Sequence, residues 1–186
     1  MKLIKPTRLT DDRGWFAETY SEKRYADLGV SVIFRQDNYV FSRLAGVVRG
    51  LHFQEPPHAQ AKLISCVRGR IWDVAVDIRA GSPTFGQWQA AELSADNGLQ
   101  AFVDVGFAHG YVTLEPDTEV TYKVSDLYAP ECEGGLIWND PALAIPWPLN
   151  GAEALVSQKD RLLPTLARLE TPFVYENAPL TPLGAQ

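Results

Sequence analysis

Ile71-Trp72-Asp73-Val74-Ala75-Val76-Asp77-Ile78 alternates without a break. Trp72, Val74, Val76 and Ile78 fall on one side and Asp73, Ala75 and Asp77 on the other, which is the period of two that a β-strand imposes on its side chains. Residues 118–125 repeat the pattern, with Val120, Tyr122 and Val124 opposite Glu119, Thr121 and Lys123. Outward from these two, residues 47–54, 62–67, 86–93, 99–103 and 110–114 read as further strands. Turn signals separate them: Arg68-Gly69-Arg70, Ala80-Gly81-Ser82-Pro83, Asp96-Asn97-Gly98 and Glu115-Pro116-Asp117. Many short strands at close spacing predict an all-β sandwich or barrel. Helix is sparse. Residues 21–28 form one candidate, with Ser21 as N-cap and Gly29 past the end, and residues 157–163 another, stopped at Pro164.

Composition sets the outer limits. The chain has 186 residues, 46% hydrophobic and 22% charged, which suits one folded domain. Residues 1–176 are expected to form it, and the uncharged, aperiodic stretch 177–186 reads as a flexible C-terminal tail. Seventeen Lys and Arg against 23 Asp and Glu leave a net charge of −6. Nucleic acid is not the expected partner, because phosphate backbones call for clustered cations. A membrane is not expected either, since no stretch approaches the ~20 apolar residues of a span and the N-terminal residues lack the apolar run of a signal peptide. The two cysteines, Cys66 and Cys132, stand apart with no CxxC, so the reading places the protein in the cytoplasm with reduced thiols.

Few residues are equipped for chemistry. The three histidines are His52, His58 and His109. There is no His-x-His of a metal-binding barrel, and no metal is expected. Glycine-rich nucleotide loops and a Gly-x-Ser-x-Gly nucleophile are missing, so a nucleotide would be held by side chains. Polar groups crowd where a structural strand has no need of them: Gln36-Asp37-Asn38, Arg49, His52, Gln54, Lys62, Tyr122-Lys123 and Lys159-Asp160. From pattern alone this describes a β-barrel suited to an anion. Strict alternation would place Arg49 and His52 on opposite faces, so they can serve one site only if the strand bends or bulges at Gly50.

Taken in order, the segments resemble the dTDP-4-dehydrorhamnose 3,5-epimerase family. They are Asp12-Arg13-Gly14-Trp15-Phe16-Ala17-Glu18, Gln36-Asp37-Asn38, Val48-Arg49-Gly50-Leu51-His52-Phe53-Gln54 and Pro56-Pro57-His58-Ala59-Gln60-Ala61-Lys62-Leu63. Asp73 to Arg79, Ser82 to Gly86, Gly106-Phe107-Ala108-His109-Gly110, Tyr122-Lys123, Trp138-Asn139-Asp140-Pro141 and Lys159-Asp160 follow. The resemblance implies a cupin-like double-stranded β-helix, a jelly-roll barrel with a few short helices, acting as a homodimer without metal or organic cofactor on a dTDP-linked 4-keto-6-deoxy sugar. It implies inversion at C3 and C5 in dTDP-L-rhamnose biosynthesis, or at one of these carbons in related members; Leu127 stands where the family usually has a tyrosine. It implies His52 as base, Asp160 as its carboxylate partner, Tyr122 as proton donor and Lys62 as the cation on the enolate oxygen. His109 matches a substrate contact. Arg13, Phe16 and Glu18 match a base-binding segment contributed across the dimer, and Gln36, Asp37, Asn38 and Arg49 match contacts to nucleoside and diphosphate. Tyr128 matches a thymine-stacking ring, and Glu133 and Lys159 match further contacts.

Overall fold

Alternating strands bury one face each, so they must pair and stack, and the chain does this with two sheets, antiparallel except for one short parallel strand. A computed structural model describes residues 1–176; the expected tail at 177–186 lies outside the described residues. The strands are β1 (Lys2–Ile4), β2 (Arg8–Asp11), β3 (Gly14–Ala17), β4 (Gln36–Ser42), β5 (Val47–Gln54), β6 (Lys62–Arg68), β7 (Arg70–Asp77), β8 (Trp88–Ser94), β9 (Gln100–Val103), β10 (Phe107–Thr113), β11 (Thr118–Val124), β12 (Glu133–Gly135) and β13 (Leu155–Val156). One sheet has the order β1-β9-β6-β11-β4, the other β12-β5-β10-β7-β8 with β13 added beside β5, and β2-β3 form a separate hairpin. Neighbours in each sheet are mostly distant in sequence, and the arrangement is the expected jelly-roll barrel.

The helices shrink relative to the sequence reading. The first survives as α1 (Glu22–Asp27), preceded by extended Ser21. The second is a single 3-10 turn over Asp160–Leu162, with Leu163 already extended. Pro164 excludes the helical conformation at the residue before it, so too few residues are left for an α-helix.

Three apolar clusters hold the barrel. Between the sheets lie Ile64, Cys66, Ile71, Ala75, Leu93, Val103, Tyr111 and Val120. On the outside of the six-stranded sheet, Val74, Val76, Leu51 and Phe53 are covered by Leu136, Leu143, Trp147 and Phe173. On the outside of the five-stranded sheet, Leu63 and Phe102 are covered by Tyr25 and Val30. Strand β7 is therefore buried on both faces. Its apparent polar side, with Asp73 and Asp77, faces protein, the two aspartates being 0% and 1% exposed. Asp77 is held by Arg79 at 2.7 Å, Ser82 at 2.6 Å and Thr84 at 2.7 Å. Burial alone would raise its pKa, but these donors hold it at about 2.

The bulge expected at Gly50 is present. On β10, His109 pairs with His52 and Tyr111 with Arg49, so three steps on β5 match two on β10. Arg49 and His52 thereby share the inner face. Gly50 has φ +116°, and a Cβ there would sit 2.6 Å from the His109 carbonyl oxygen and 2.7 Å from Gly110 Cα. Only glycine fits. Gly50→Ala is expected to lower the unfolding free energy by at least ~1–3 kcal/mol, measured from the urea midpoint. Gly81→Ala, with φ +77° but nothing within 4 Å of the added carbon, should cost less. Equal losses would show that crowding at β10 is not the constraint.

Candidate active site

Between the sheets, next to the apolar core, opens a cavity of about 580 Å³. Strand β5 contributes Arg49 and His52, β10 His109 and Tyr111, β6 Lys62, β11 Tyr122, β4 Val40, and the β13 segment Ser157, Asp160 and Arg161. His52 and His109 come from one sheet, Lys62 and Tyr122 from the other. The cavity thus has an imidazole wall and a phenol wall.

His52 Nε2 lies 2.8 Å from Asp160 Oδ1. The other carboxylate oxygen accepts the Gly50 N–H at 3.3 Å, and Ser157 Oγ accepts the Asp160 N–H at 3.1 Å. Asp160 is 4% exposed. Burial would raise its pKa, but the contact with His52, the Gly50 N–H and Ser157 outweigh it and hold the carboxyl below its ordinary value. An ionised Asp160 fixes the proton of His52 on Nε2 and leaves Nδ1 as a base. A second pair lies beside it: His109 Nε2 is 2.8 Å from Asp73 Oδ2.

Lys62 reaches across from the opposite sheet and donates to the His52 carbonyl oxygen at 3.2 Å. Burial lowers its pKa to about 8, against the opposing pull of Asp73 and Glu133. Tyr122 is half-buried, and burial raises its pKa, with Arg49 opposing; the hydroxyl keeps its proton at neutral pH and is fit to donate it. Among the described residues no group of three or more His, Cys, Asp and Glu is placed to hold a metal ion.

At the rim, Glu133 accepts from Lys159 at 2.5 Å and from the Tyr128 hydroxyl at 2.9 Å. Burial would raise the Glu133 pKa, but these two donors keep it low. Gln36 joins the rim by accepting the Tyr128 N–H at 3.0 Å and donating to Asn38 at 2.9 Å. Gln36 and Asn38 share the inner face of β4 with Val40. Asp37 does not: alternation turns it outward, where it pairs with Lys123 at 2.8 Å. Arg13, Phe16 and Glu18 also lie outside this cavity, on or just after the β2–β3 hairpin. There Arg13 pairs with Asp11 and Glu18 with Arg24, and Phe16 is 67% exposed. Leu127, exposed, offers its carbonyl to Gln54 and Gln60 rather than its side chain to the cavity.

Sequence reasoning gave no role to Asp73, Tyr111 or Arg161. Asp73 and Tyr111 look like ordinary members of alternating strands. Arg161 follows Lys159-Asp160 directly, and that unbroken run of charge was the available signal.

A family profile described as dTDP-4-dehydrorhamnose 3,5-epimerase matches residues 1–168. The dTDP-4-dehydrorhamnose 3,5-epimerase of Sinorhizobium fredii is 48% identical over 175 residues, covering 94% of this chain and 89% of the relative. Among solved structures, the dTDP-4-dehydrorhamnose 3,5-epimerase of Bacillus anthracis, with TDP and PPi bound, is 50% identical with a TM-score of 0.85, covering 88% of this chain and 92% of its own. The dTDP-6-deoxy-D-glucose-3,5-epimerase of Legionella pneumophila, in complex with dTDP-4-keto-L-rhamnose, is 42% identical with a TM-score of 0.88, covering 94% and 93%.

The Lys62 pKa carries a sign that can be measured. The unfolded chain holds this proton up to about pH 10.5, the folded protein only up to about pH 8. Across that window the unfolded state binds more protons, so this group's contribution to stability rises with pH. The stability of the wild type relative to Lys62→Met, from urea midpoints, is expected to improve as pH is raised from 8 to 10.5. A difference that stays flat would place the ammonium in water.

Proposed function

The chain belongs to the dTDP-4-dehydrorhamnose 3,5-epimerase family, and we propose that His52 and Tyr122 carry out its proton transfers from opposite walls of the cavity. The enzyme is an isomerase that inverts C3 and C5 of dTDP-4-keto-6-deoxy-D-glucose, giving dTDP-4-keto-L-rhamnose. The observation that supports the assignment is the placement of an Asp160-bound imidazole on one sheet and a protonated, half-buried phenol on the other.

Both reacting carbons flank a ketone. Removing a proton from either leaves its electron pair on the C4 oxygen as an enolate, and a cation at that oxygen lowers the barrier. In the proposed reaction His52 Nδ1 takes the proton, with Asp160 stabilising the imidazolium that forms. Lys62 stands at the enolate oxygen, a contact of a kind whose removal costs about 3–4 kcal/mol. The enolate collapses to the ketone as its carbon takes the Tyr122 proton on the far face. Tyr122 is then reprotonated from solvent and His52 returns its proton to solvent, so the net change is inversion alone. His109, oriented by Asp73, contacts the sugar. Gln36, Asn38, Arg49, Tyr128, Glu133 and Lys159 hold the nucleotide end. No metal or organic cofactor enters these steps.

The hairpin supports a second assignment. Leu9, Trp15 and Phe16 are 63%, 58% and 67% exposed, an unusual set of apolar side chains for a surface ribbon. We propose that the hairpin is covered in a two-fold homodimer, where Arg13, Phe16 and Glu18 reach the partner's ligand. We place the enzyme in the cytoplasm: Cys66 and Cys132 are free thiols, and no helix among the described residues is long and apolar enough to cross a membrane.

Two experiments check these roles. In D2O, followed by proton NMR, His52→Ala is expected to lose both deuterium exchange and inversion, by the roughly 10²–10⁴-fold that one general base contributes. Tyr122→Phe should still exchange on the His52 face while accumulating little inverted product. Inversion by Tyr122→Phe at the wild-type rate would make Tyr122 a packing residue, and loss of exchange as complete as in His52→Ala would end the two-wall assignment. For assembly, light scattering is expected to give a dimer at micromolar concentration, and Phe16→Ser to weaken both dimer and activity. A fully active monomer would remove the hairpin from the site.

A further inference from the structure

We infer that Arg161 is the second arm of a two-arginine clamp on the ligand's diphosphate, facing Arg49. The inference rests on the nucleotide-sugar reading of the cavity and adds a binding residue to it.

Lys159, Asp160 and Arg161 are consecutive, yet each serves a different neighbour. Lys159 binds Glu133 at the rim and Asp160 binds His52 inside. Arg161, in the 3-10 turn, reaches back to β13, its Nε donating to the Val156 carbonyl oxygen at 3.3 Å. Val156 is the register partner of Val48 in the parallel β13–β5 pair, and Val48 precedes Arg49. Neighbouring strands are ~4.8 Å apart. Both arginines are thus anchored within one residue of the same cross-strand pair, and both line the cavity.

Their charges are unspent. Arg13, Arg24, Arg68, Arg70 and Arg79 each form an ion pair with a carboxylate. Among the described residues neither Arg49 nor Arg161 does so. The Nη2 of Arg49 makes only marginal contacts, to the Phe41 carbonyl oxygen and Ser42 Oγ, both at 3.5 Å. The carboxylate in the cavity lining, Asp160, is already committed to His52 and Gly50. Two guanidinium groups and the Lys62 ammonium therefore line one cavity of a protein with net charge −6. Without an anion between them they repel.

The ligand group that answers this arrangement is the diphosphate. It carries charge on both phosphorus centres, and its oxygens match the planar fork of arginine. The clamp places the diphosphate between Arg49 and Arg161, in the same cavity as Lys62, His52 and Tyr122. The base and ribose present no charge that would require a second guanidinium.

Calorimetric titration of dTDP and of thymidine into wild type, Arg161→Gln and Arg161→Lys tests the clamp, together with steady-state kinetics. Arg161 is exposed, so the variants should fold, as an unchanged thermal midpoint would verify. Arg161→Gln is expected to weaken dTDP about tenfold, as loss of a charge-assisted hydrogen bond does, and to leave thymidine unchanged. KM for the dTDP-sugar should rise about as much, with kcat within about twofold, and Arg161→Lys should recover part of the loss as a point charge. Unchanged dTDP affinity would overturn the inference, and so would equal losses for dTDP and thymidine. A fall in kcat without a change in KM would overturn it too, because Arg161 would then act by positioning Asp160. Wild type that turns over the sugar while Arg161→Gln binds dTDP normally defeats the clamp alone; wild type that neither binds dTDP nor turns over the sugar defeats the nucleotide-sugar reading with it.

Discussion

The site depends on the extra residue in β5 at Gly50. A regular strand would send Arg49 and His52 to opposite faces. The bulge brings both inside, opposite Tyr111 and His109, and the same distortion aims the Gly50 N–H at Asp160. One backbone irregularity therefore turns the imidazole inward and helps to position the carboxylate that orients it. The close approach of β10 explains why the residue is glycine.

A bulge of this kind needs rigid surroundings. The six-stranded sheet has protein on both faces: the barrel core inside, and the segment running from Leu136 to Phe173 outside. Each fully buried Val, Leu or Ile side chain contributes roughly 1.5–3 kcal/mol. The outer layer also carries Asp160 to His52, so the strap that seals the sheet delivers the carboxylate that pairs with the imidazole. Its far end is tied down near Asp77–Arg79: Ala80 N–H donates to the Phe173 carbonyl oxygen at 2.8 Å, and Arg79 stacks on Phe107 and Tyr175. Breaking a buried pair such as Asp77–Arg79 by removing one partner leaves an unpaired charge in protein, which typically costs about 3–5 kcal/mol.

Charge is divided in the same way. The chain is acidic overall, yet its cavity gathers Arg49, Lys62 and Arg161. Within low-dielectric walls such a cluster acts on an anion far more strongly than the same charges spread over the surface. Burial also lowers the Lys62 pKa to about 8, still above neutrality, so the side chain keeps its charge at pH 7.

The sequence by itself determined the β class, most of the strands and the residue types of the site. Alternation is a local property, set by the two-residue repeat of an extended backbone, so β5, β7 and β11 could be read within a residue or so of their ends. Ordered motifs matching a family carried His52, Asp160, Tyr122 and Lys62. The tertiary structure decided which face each of these side chains uses. Asp37 and Asn38 are neighbours in the chain, but the sheet turns Asp37 out to Lys123 and Asn38 inward. Asp73 alternates with apolar neighbours in the sequence, yet it is buried against His109, because distant segments cover both sides of β7. Arg161 had no role in the sequence reading and lines the cavity beside Arg49, where β13 joins β5 in parallel. A period of two says that neighbouring side chains point opposite ways; which of the two directions is the inside depends on contacts between residues a hundred positions apart.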